Sequence, residues 1–467
     1  MIGNRPWKIK EGFLIGGGLI FMGLMLELSI GPVAWHAFAW PANAIVLTGF
    51  SGLIALIYIL RKRVYAFQFL CTLQAAIPAM AYAVVLTIVM GLTKQQDGGT
   101  WLNDMLTFWP FVLIYVYLAL ISGLATIKRI HNFQISNLKK DVPFLLNHLG
   151  LFIVLTTATL GNADIQRVKM ITTIGETEWR AHTQDGKVKT MPIAIELKRF
   201  IMETYDDGTP QRFASEIRIV TKTGKDIETI VDVNKPYEVD GWEIYQYGFD
   251  TQMQADSRIS ILELVSDPWL PYVYAGIYMM LTGTLLLIVY TRWRMERMLP
   301  IAALLVVALF IVSYLMPIVR SDTLVPALQS PWFFPHILLY IVCYSLMGVA
   351  TVMSVWKLIR AEKSLLKHQH IDNFIYIGLV FMTFGMMFGA FWAKEAWGHY
   401  WTWDSKETWA AITWLTYLVY IHYRQHPRHN EKVALWIPII AFLLLQMCWW
   451  GINFLPAAQG SSLHTYN

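Results

Sequence analysis

Trp397-Gly398-His399-Tyr400-Trp401-Thr402-Trp403-Asp404-Ser405-Lys406-Glu407-Thr408-Trp409 is the stretch on which the reading of this chain turns. Five aromatic residues stand in thirteen positions, with Asp404, Lys406 and Glu407 among them, and apolar runs flank it on both sides. A turn between two apolar helices needs only a short Gly or Asn loop. Dense Trp beside a few polar groups suits a flat, amphipathic surface at the headgroup level, where Trp also gathers for anchoring alone. Local composition therefore leaves two readings: an aromatic belt, or a surface that holds a large apolar ligand.

Outward from that stretch, the chain is 467 residues long, 56% hydrophobic and only 15% charged. A soluble domain carries about 25% charged residues. Apolar runs fall at about 11–31, 42–60, 66–90, 107–127, 145–162, 271–290, 299–317, 333–356, 374–392, 409–423 and 433–450. Their lengths predict a polytopic all-α membrane protein of about eleven spans. Threading the spans alternately with the N-terminus inside puts twenty Lys and Arg in the inner segments and four (Lys94, Arg320, Lys394, Lys406) in the short outer ones. That asymmetry obeys the positive-inside rule and leaves the C-terminus outside. The net charge of +5 follows the inner loops, so it gives nucleic-acid binding no support. Cys71, Cys343 and Cys448 are isolated within apolar runs, which excludes a Cys-x-x-Cys thiol oxidoreductase and a covalent c-type haem protein. No small-residue cleavage site closely follows the first apolar run, which reads as a retained helix.

The organisation expected is a transmembrane region at 1–162, an inserted extracytoplasmic β-rich domain at 163–270, and a second transmembrane region at 271–467. In the inserted part, Met191-Pro-Ile-Ala-Ile-Glu-Leu, Phe213-Ala-Ser-Glu-Ile-Arg-Ile-Val, Ile227-Glu-Thr-Ile-Val-Asp-Val and Trp242-Glu-Ile-Tyr-Gln-Tyr read as strands. Asp207-Gly208, Thr223-Gly224 and Asp240-Gly241 supply turns, and a sandwich is the form expected. This domain lacks Cys and has one histidine, His182, so it reads as a docking or shielding module.

Once the topology is set, four histidines fall in informative places. His336 lies near the outer end of the eighth span and His464 in the outer tail, on the same side as the Trp-rich stretch. His148 lies just inside the inner end of the fifth span, and His422 at the inner end of the tenth. Polar groups at membrane depth are costly unless partnered, which makes them functional suspects. Two imidazoles on opposite faces of a flat macrocycle are what six-coordinate haem iron requires. Each histidine taken singly is equally well a cap or an interfacial residue, and sequence does not say which helices touch. Asp404 reads as a helix N-cap. Trp397, Trp401, Trp403 and Trp409 offer aromatic faces to a large ring, and Lys394 or Lys406 can meet its carboxylates. The same composition suits a lipid or quinone headgroup. His399, inside the stretch, reads as an interfacial polar group or a ligand neighbour.

The stretch continued through His422-Tyr-Arg424 resembles the tryptophan-rich WWD signature of the cytochrome c assembly family, in its CcsA-type branch. Ser405 stands where that signature usually has Pro. Leu328-Gln-Ser-Pro-Trp-Phe-Phe-Pro-His336 resembles the family's first outer histidine motif, His464 matches the second, and His422 matches the histidine ending the helix after the signature. In the first half, Asn147-His148-Leu-Gly-Leu-Phe-Ile-Val-Leu resembles the histidine-bearing helix of the ResB (CcsB) partner protein. Asp207-Gly-Thr-Pro-Gln-Arg-Phe-Ala-Ser-Glu-Ile and Val233-Asn-Lys-Pro-Tyr-Glu-Val-Asp-Gly-Trp-Glu-Ile-Tyr-Gln resemble its outer domain, here in shortened form.

The resemblance implies a fused haem-handling protein of the System II route in a bacterial cytoplasmic (inner) membrane. It implies haem b as the cargo, bound by His148 and His422 near the inner face and by His336 and His464 at the outer face, with Trp397, Trp401, Trp403, Asp404 and Trp409 around it. It implies an apocytochrome c carrying Cys-x-x-Cys-His as acceptor, an extracytoplasmic thiol reductase as partner, and a holocytochrome c synthase (haem lyase) activity with no nucleophile of the chain's own. The alternative reading is a haem- or quinone-linked electron-transfer protein. That class pairs histidines in register along the same helices, unlike an outer pair at a helix margin and a tail.

Overall fold

The structure is a computed structural model that describes residues 6–96, 98, 99, 101–290, 307, 323–360 and 367–458. The helices are α1 (Ile9–Ile30), α2 (Ala42–Leu60), α3 (Tyr65–Leu70), α4 (Leu73–Leu92), α5 (Trp109–His131), α6 (Leu138–Gly161), α7 (Leu270–Tyr290), α8 (Phe333–Arg360), α9 (His368–Trp397), α10 (Ser405–Gln425) and α11 (Glu431–Trp449). Among the described residues nine are long and apolar enough to cross a membrane; α3 is too short and α10 is less apolar. The chain is thus a largely helical, multi-pass membrane protein. The seventh expected span, 299–317, and the tail with His464 lie outside the described residues.

Of the boundaries that differ from the sequence reading, three have a clear local reason. The run 66–90 is broken into α3 and α4 at Cys71-Thr72, where the Thr72 hydroxyl donates to the Phe69 carbonyl at 2.6 Å. The fifth span, expected at 145–162, begins at Leu138. Its polar first turn reads as loop, yet Asp141 is buried and ion-paired with Arg129 of α5 at 3.0 Å, which holds that turn in the helix. His148 therefore sits well inside α6, about 15 Å from its start at ~1.5 Å per residue, and not at its margin. α10 starts at Ser405, because Asp404 and Glu407 form a reciprocal capping box there.

Helix packing is tightest where glycine removes a side chain. A Cβ on Gly150 of α6 would lie 2.7 Å from the Gly276 carbonyl oxygen of α7, and one on Gly276 would lie 2.8 Å from the Gly150 oxygen. The two backbones are therefore in contact, which fixes how α6 is rotated and where His148 points.

Between α6 and α7 lies one eight-stranded antiparallel sheet: β1 (Gln166–Thr173), β2 (Thr177–Thr183), β3 (Val188–Thr204), β4 (Pro210–Thr221), β5 (Asp226–Asp232), β6 (Tyr237–Val239), β7 (Trp242–Phe249) and β8 (Ile259–Ser266). Its order is β5-β4-β3-β2-β1-β8-β7-β6. The sandwich takes a particular form, since its two layers belong to one continuous sheet that curls until β4 and β5 lie against β7. Alternate residues such as Ile193, Ile195, Ile217, Leu262 and Leu264 fill the interior. There the Ser215 hydroxyl of β4 donates to the Ser260 hydroxyl of β8 at 2.6 Å. The four strands read from sequence correspond to β3, β4, β5 and β7. β1, β2, β6 and β8 lie within the expected β-rich part, 163–270, but were not singled out as strands.

Candidate functional site

Among the described residues, the histidines expected as ligands fall in two regions, at different depths along the helices. The deeper one is a cavity of about 1210 Å³ bounded by α3 to α7, α9 and α10, larger than most small-molecule pockets. His148 of α6 and His422 of α10 both line it, with ring centroids 6.2 Å apart and planes at 69°. An iron held by two imidazole nitrogens at about 2 Å each, with the depth of each ring added, needs centroids roughly 6 Å apart.

The tautomers suit that role. His148 Nδ1 lies 2.9 Å from the Phe144 carbonyl oxygen, and His422 Nδ1 lies 2.8 Å from the Leu418 carbonyl oxygen. A carbonyl only accepts, so each Nδ1 carries the proton and each Nε2 keeps its lone pair for a metal. Both helices are also held near these rings. Phe144 stacks on His148 at 3.8 Å, and the Ser122 hydroxyl donates to the His148 carbonyl at 2.9 Å. Below His422, Arg424 makes a two-pronged pair with Asp372 of α9 at 2.9 Å on each side, and Tyr420 donates to the same carboxylate at 2.7 Å. Among the described residues no three His, Cys, Asp or Glu side chains gather to hold a bare ion. Two imidazoles alone suit an iron whose other ligands come from a macrocycle.

The second region lies at the end of the helices that carries the sheet. His336, in the first turn of α8, presses on α9 where a Cβ on Gly389 would meet its ring at 2.8 Å. Its Nδ1 lies 2.8 Å from the Gly385 carbonyl oxygen, so the proton again sits on Nδ1. Its ring lies 5.9 Å from Trp392, which lies 5.2 Å from Trp397. These residues form one aromatic group. Trp401 and Trp403 make a second, edge to face at 5.7 Å, and Trp403 also meets Phe111 and Tyr115 of α5. Trp409 joins neither. It is 2% exposed and packs on α4 at Gly91, as part of the helical core. Asp404 caps α10, its carboxylate accepting the Glu407 N–H at 2.8 Å, while the Glu407 carboxylate accepts the Thr402 N–H at 2.7 Å.

The sheet grips the start of the Trp-rich stretch through Lys394, which sequence reasoning offered to a ligand carboxylate, and through Arg167 and Glu243, which it did not find. Lys394 of α9 is 4% exposed and donates to Glu243 of β7 at 2.6 Å and to the Gly398 carbonyl at 3.2 Å. Arg167 of β1 reaches the Trp397 and Gly398 carbonyls at 3.5 and 3.3 Å and pairs with Glu263 of β8 at 3.9 Å. Burial pushes the Glu263 carboxyl above its usual range, against the opposing pull of Arg167. Gly398 ends α9 in the left-handed region (φ 74°), and a Cβ there would lie 3.1 Å from both Tyr245 and Val265. Lys394 is therefore committed to the sheet and not to a ligand carboxylate. Beside it, His399 has its Nδ1 buried with no partner among the described residues, and burial lowers its pKa to about 3, so the ring is neutral.

Residues 269–458 match the cytochrome C assembly protein family, and residues 140–262 match the ResB-like family. The chain is 36% identical over 159 residues to cytochrome c biogenesis protein CcsA of Chlamydomonas reinhardtii, covering 32% of this chain and 44% of that protein. It is 31% identical over 195 residues to CcsA of Oenothera argillicola (32% and 60%), and 28% identical over 229 residues to CcsA of Guillardia theta (42% and 75%). The chain thus spans about half the length of the first two of these relatives.

Proposed function

We propose that this chain, in which a ResB-like segment is joined to a cytochrome c assembly segment, carries haem across the membrane and presents it to apocytochrome c for covalent attachment. The observation that carries this reading is the His148–His422 pair, two imidazoles with ring centroids 6.2 Å apart, each with its proton on Nδ1, lining a cavity of macrocycle size. The membrane is a bacterial cytoplasmic membrane, with the sheet domain outside and the Lys/Arg-rich loops inside. That orientation is supported by the charge asymmetry of the loops.

Haem b is the cargo. His148 and His422 take it up at membrane depth. His336, with His464, holds it at the sheet end, where Trp392 and Trp397 offer ring faces. Of the signature residues, Trp397 stands in the aromatic group of His336, Trp401 and Trp403 form the second group, and Asp404 shapes the stretch by capping α10. Bis-imidazole ligation occupies both axial positions of the iron and leaves the vinyl edge for the acceptor. Attachment adds each Cys S–H of the acceptor's Cys-x-x-Cys-His across a vinyl group. Sulfur bonds one carbon, the proton goes to the other, and no electrons are exchanged. The acceptor supplies the thiols, kept reduced by an extracytoplasmic thiol reductase. Cys343 is buried and Cys71 and Cys448 are half-buried in the helical region, so the chain contributes positioning and no nucleophile. The lyase activity is in that sense one of placement.

The test is a reporter apocytochrome expressed with this chain in cells lacking their own assembly system. Holocytochrome is expected with the parent, and is expected to be lost when His148, His336, His422 or His464 is changed to Ala. Holocytochrome formation that survives all four changes would defeat the reading.

A further inference from the structure

The cavity that holds His148 and His422 has a lopsided lining. Much of it is uncharged, with Met80, Leu118, Leu379, Leu415 and Leu418 beside neutral polar side chains such as Ser122, Asn147 and Thr383. At the end away from the sheet it carries four cations, Lys128 and Arg129 from the last turn of α5 and Lys139 and Lys140 from the first turn of α6. Among the described residues, none of those lining it is Asp or Glu. Arg129 is paired from behind with Asp141, and Lys128, Lys139 and Lys140 are exposed, so this end of the cavity is a basic rim open to an anion.

One of these cations is tied to the iron-binding face by direct contacts. The Arg129 guanidinium lies 4.3 Å over the Phe144 ring, which stacks on His148 at 3.8 Å. Its position is set from behind by Asp141, which accepts from Nη1 at 3.0 Å and from the Gln134 N–H at 3.2 Å. A guanidinium has further N–H donors beyond the one given to Asp141, and its planar fork is the shape that suits a carboxylate. Phe144 is one helical turn from His148, so Arg129 stands on the order of 6 Å along α6 from the imidazole. Lys139 and Lys140 are exposed at the mouth and able to move toward a ligand.

We propose that this basic rim is a subsite for the two propionate carboxylates of haem. Resting on the haem reading above, it fixes the ring's orientation in the cavity: propionates toward Arg129, Lys139 and Lys140, and the apolar vinyl edge toward the sheet. The edge that must meet the acceptor's thiols therefore already leads, and the ring has no need to turn over between the two histidine regions. Lys128 is the less direct member, since its Nζ donates to the Cys71 carbonyl at 2.8 Å.

The test uses the full chain, purified in detergent, with H336A/H464A in place so that only cavity haem is read. It is loaded either with iron protoporphyrin IX or with its dimethyl ester, and release to excess apomyoglobin is timed. The free acid is expected to leave about tenfold more slowly than the ester, as loss of charge-assisted hydrogen bonds implies. In R129Q, and separately in K139Q/K140Q, that ratio is expected to fall toward one while the bis-imidazole spectrum persists. K139Q/K140Q alters only exposed side chains, so it keeps the test open if R129Q does not fold. Equal release of acid and ester from the parent, or an unchanged ratio in a folded variant, would overturn the subsite. Loss of the haem reading shows differently, as haem retained unchanged in H148A.

Discussion

The imidazoles of His148 and His422, 274 positions apart in sequence, stand with ring centroids 6.2 Å apart on α6 and α10. Each is turned the same way, with Nδ1 bonded to the carbonyl four residues earlier. Changing either to Ala removes one axial ligand. We expect H148A and H422A each to convert a six-coordinate haem spectrum into a five-coordinate one or to lose haem, with imidazole in the buffer restoring the first spectrum. A restored spectrum separates lost ligation from lost folding.

The α6–α7 crossing sets where His148 points. Adding a methyl at Gly150 forces it against the Gly276 carbonyl, at 2.7 Å in the present geometry. Overpacking of this kind costs about 1–3 kcal/mol. G150A is expected to lower the melting temperature in detergent and to weaken haem retention, whereas an alanine at Gly18, where a Cβ meets nothing within 4 Å, is expected to change neither.

Glu243 and Lys394 form the ion pair that joins sheet to helix. E243Q leaves a buried ammonium without its counter-charge, a loss of roughly 3–5 kcal/mol for a fully buried pair. Since Glu243 is partly exposed, a smaller loss is expected here. E243Q is expected to raise protease sensitivity around residues 397–409, and the double variant E243Q/K394M to recover much of the parent's resistance.

Asp404 belongs to the signature, yet its carboxylate caps α10. D404A is expected to cost about 1 kcal/mol of stability, as N-cap removal does. D404N and D404S, which cap as well, are expected to restore both stability and holocytochrome yield. Failure of the capping replacements to rescue yield would point to direct use of the charge on haem.

His399 gives a pH signature. Its folded pKa of about 3 lies below the ordinary 6.5, because burial disfavours the imidazolium and Arg167 adds to this, with Asp404 pulling the other way. The unfolded chain therefore binds the extra proton first. Above pH 6.5 the ring is neutral in both states and contributes no pH dependence. As pH falls from 6.5 toward about 3, stability is expected to fall. H399N is expected to flatten the melting temperature against pH over that window; an unchanged slope would show that another group sets it.

Much of this was legible in the sequence, because lipid imposes length and sheets impose alternation. The apolar runs gave the helices to within a turn in most cases, and β3, β4, β5 and β7 followed from alternation. What stayed hidden depended on contacts between distant residues. His148 and His422 were recognisable singly, but their pairing needs the packing of α6 beside α10. Trp409 carries the same letter as Trp397 and only burial against Gly91 separates them. Arg167 lies on β1, inside the expected β-rich part but not singled out as a strand, and its bond to Gly398, 231 positions away, left no local trace. Lys394, an apparent candidate for ligand carboxylates, was explained by Glu243, 151 positions away.

The most direct measurement is the absorption spectrum of haem copurifying with the H336A/H464A variant, before and after adding H148A. One bis-imidazole haem is expected to remain in the first protein and to be absent or five-coordinate in the second. A first protein without haem, or a second with an unchanged bis-imidazole spectrum, would contradict the assignment of His148 and His422 as the haem-binding pair.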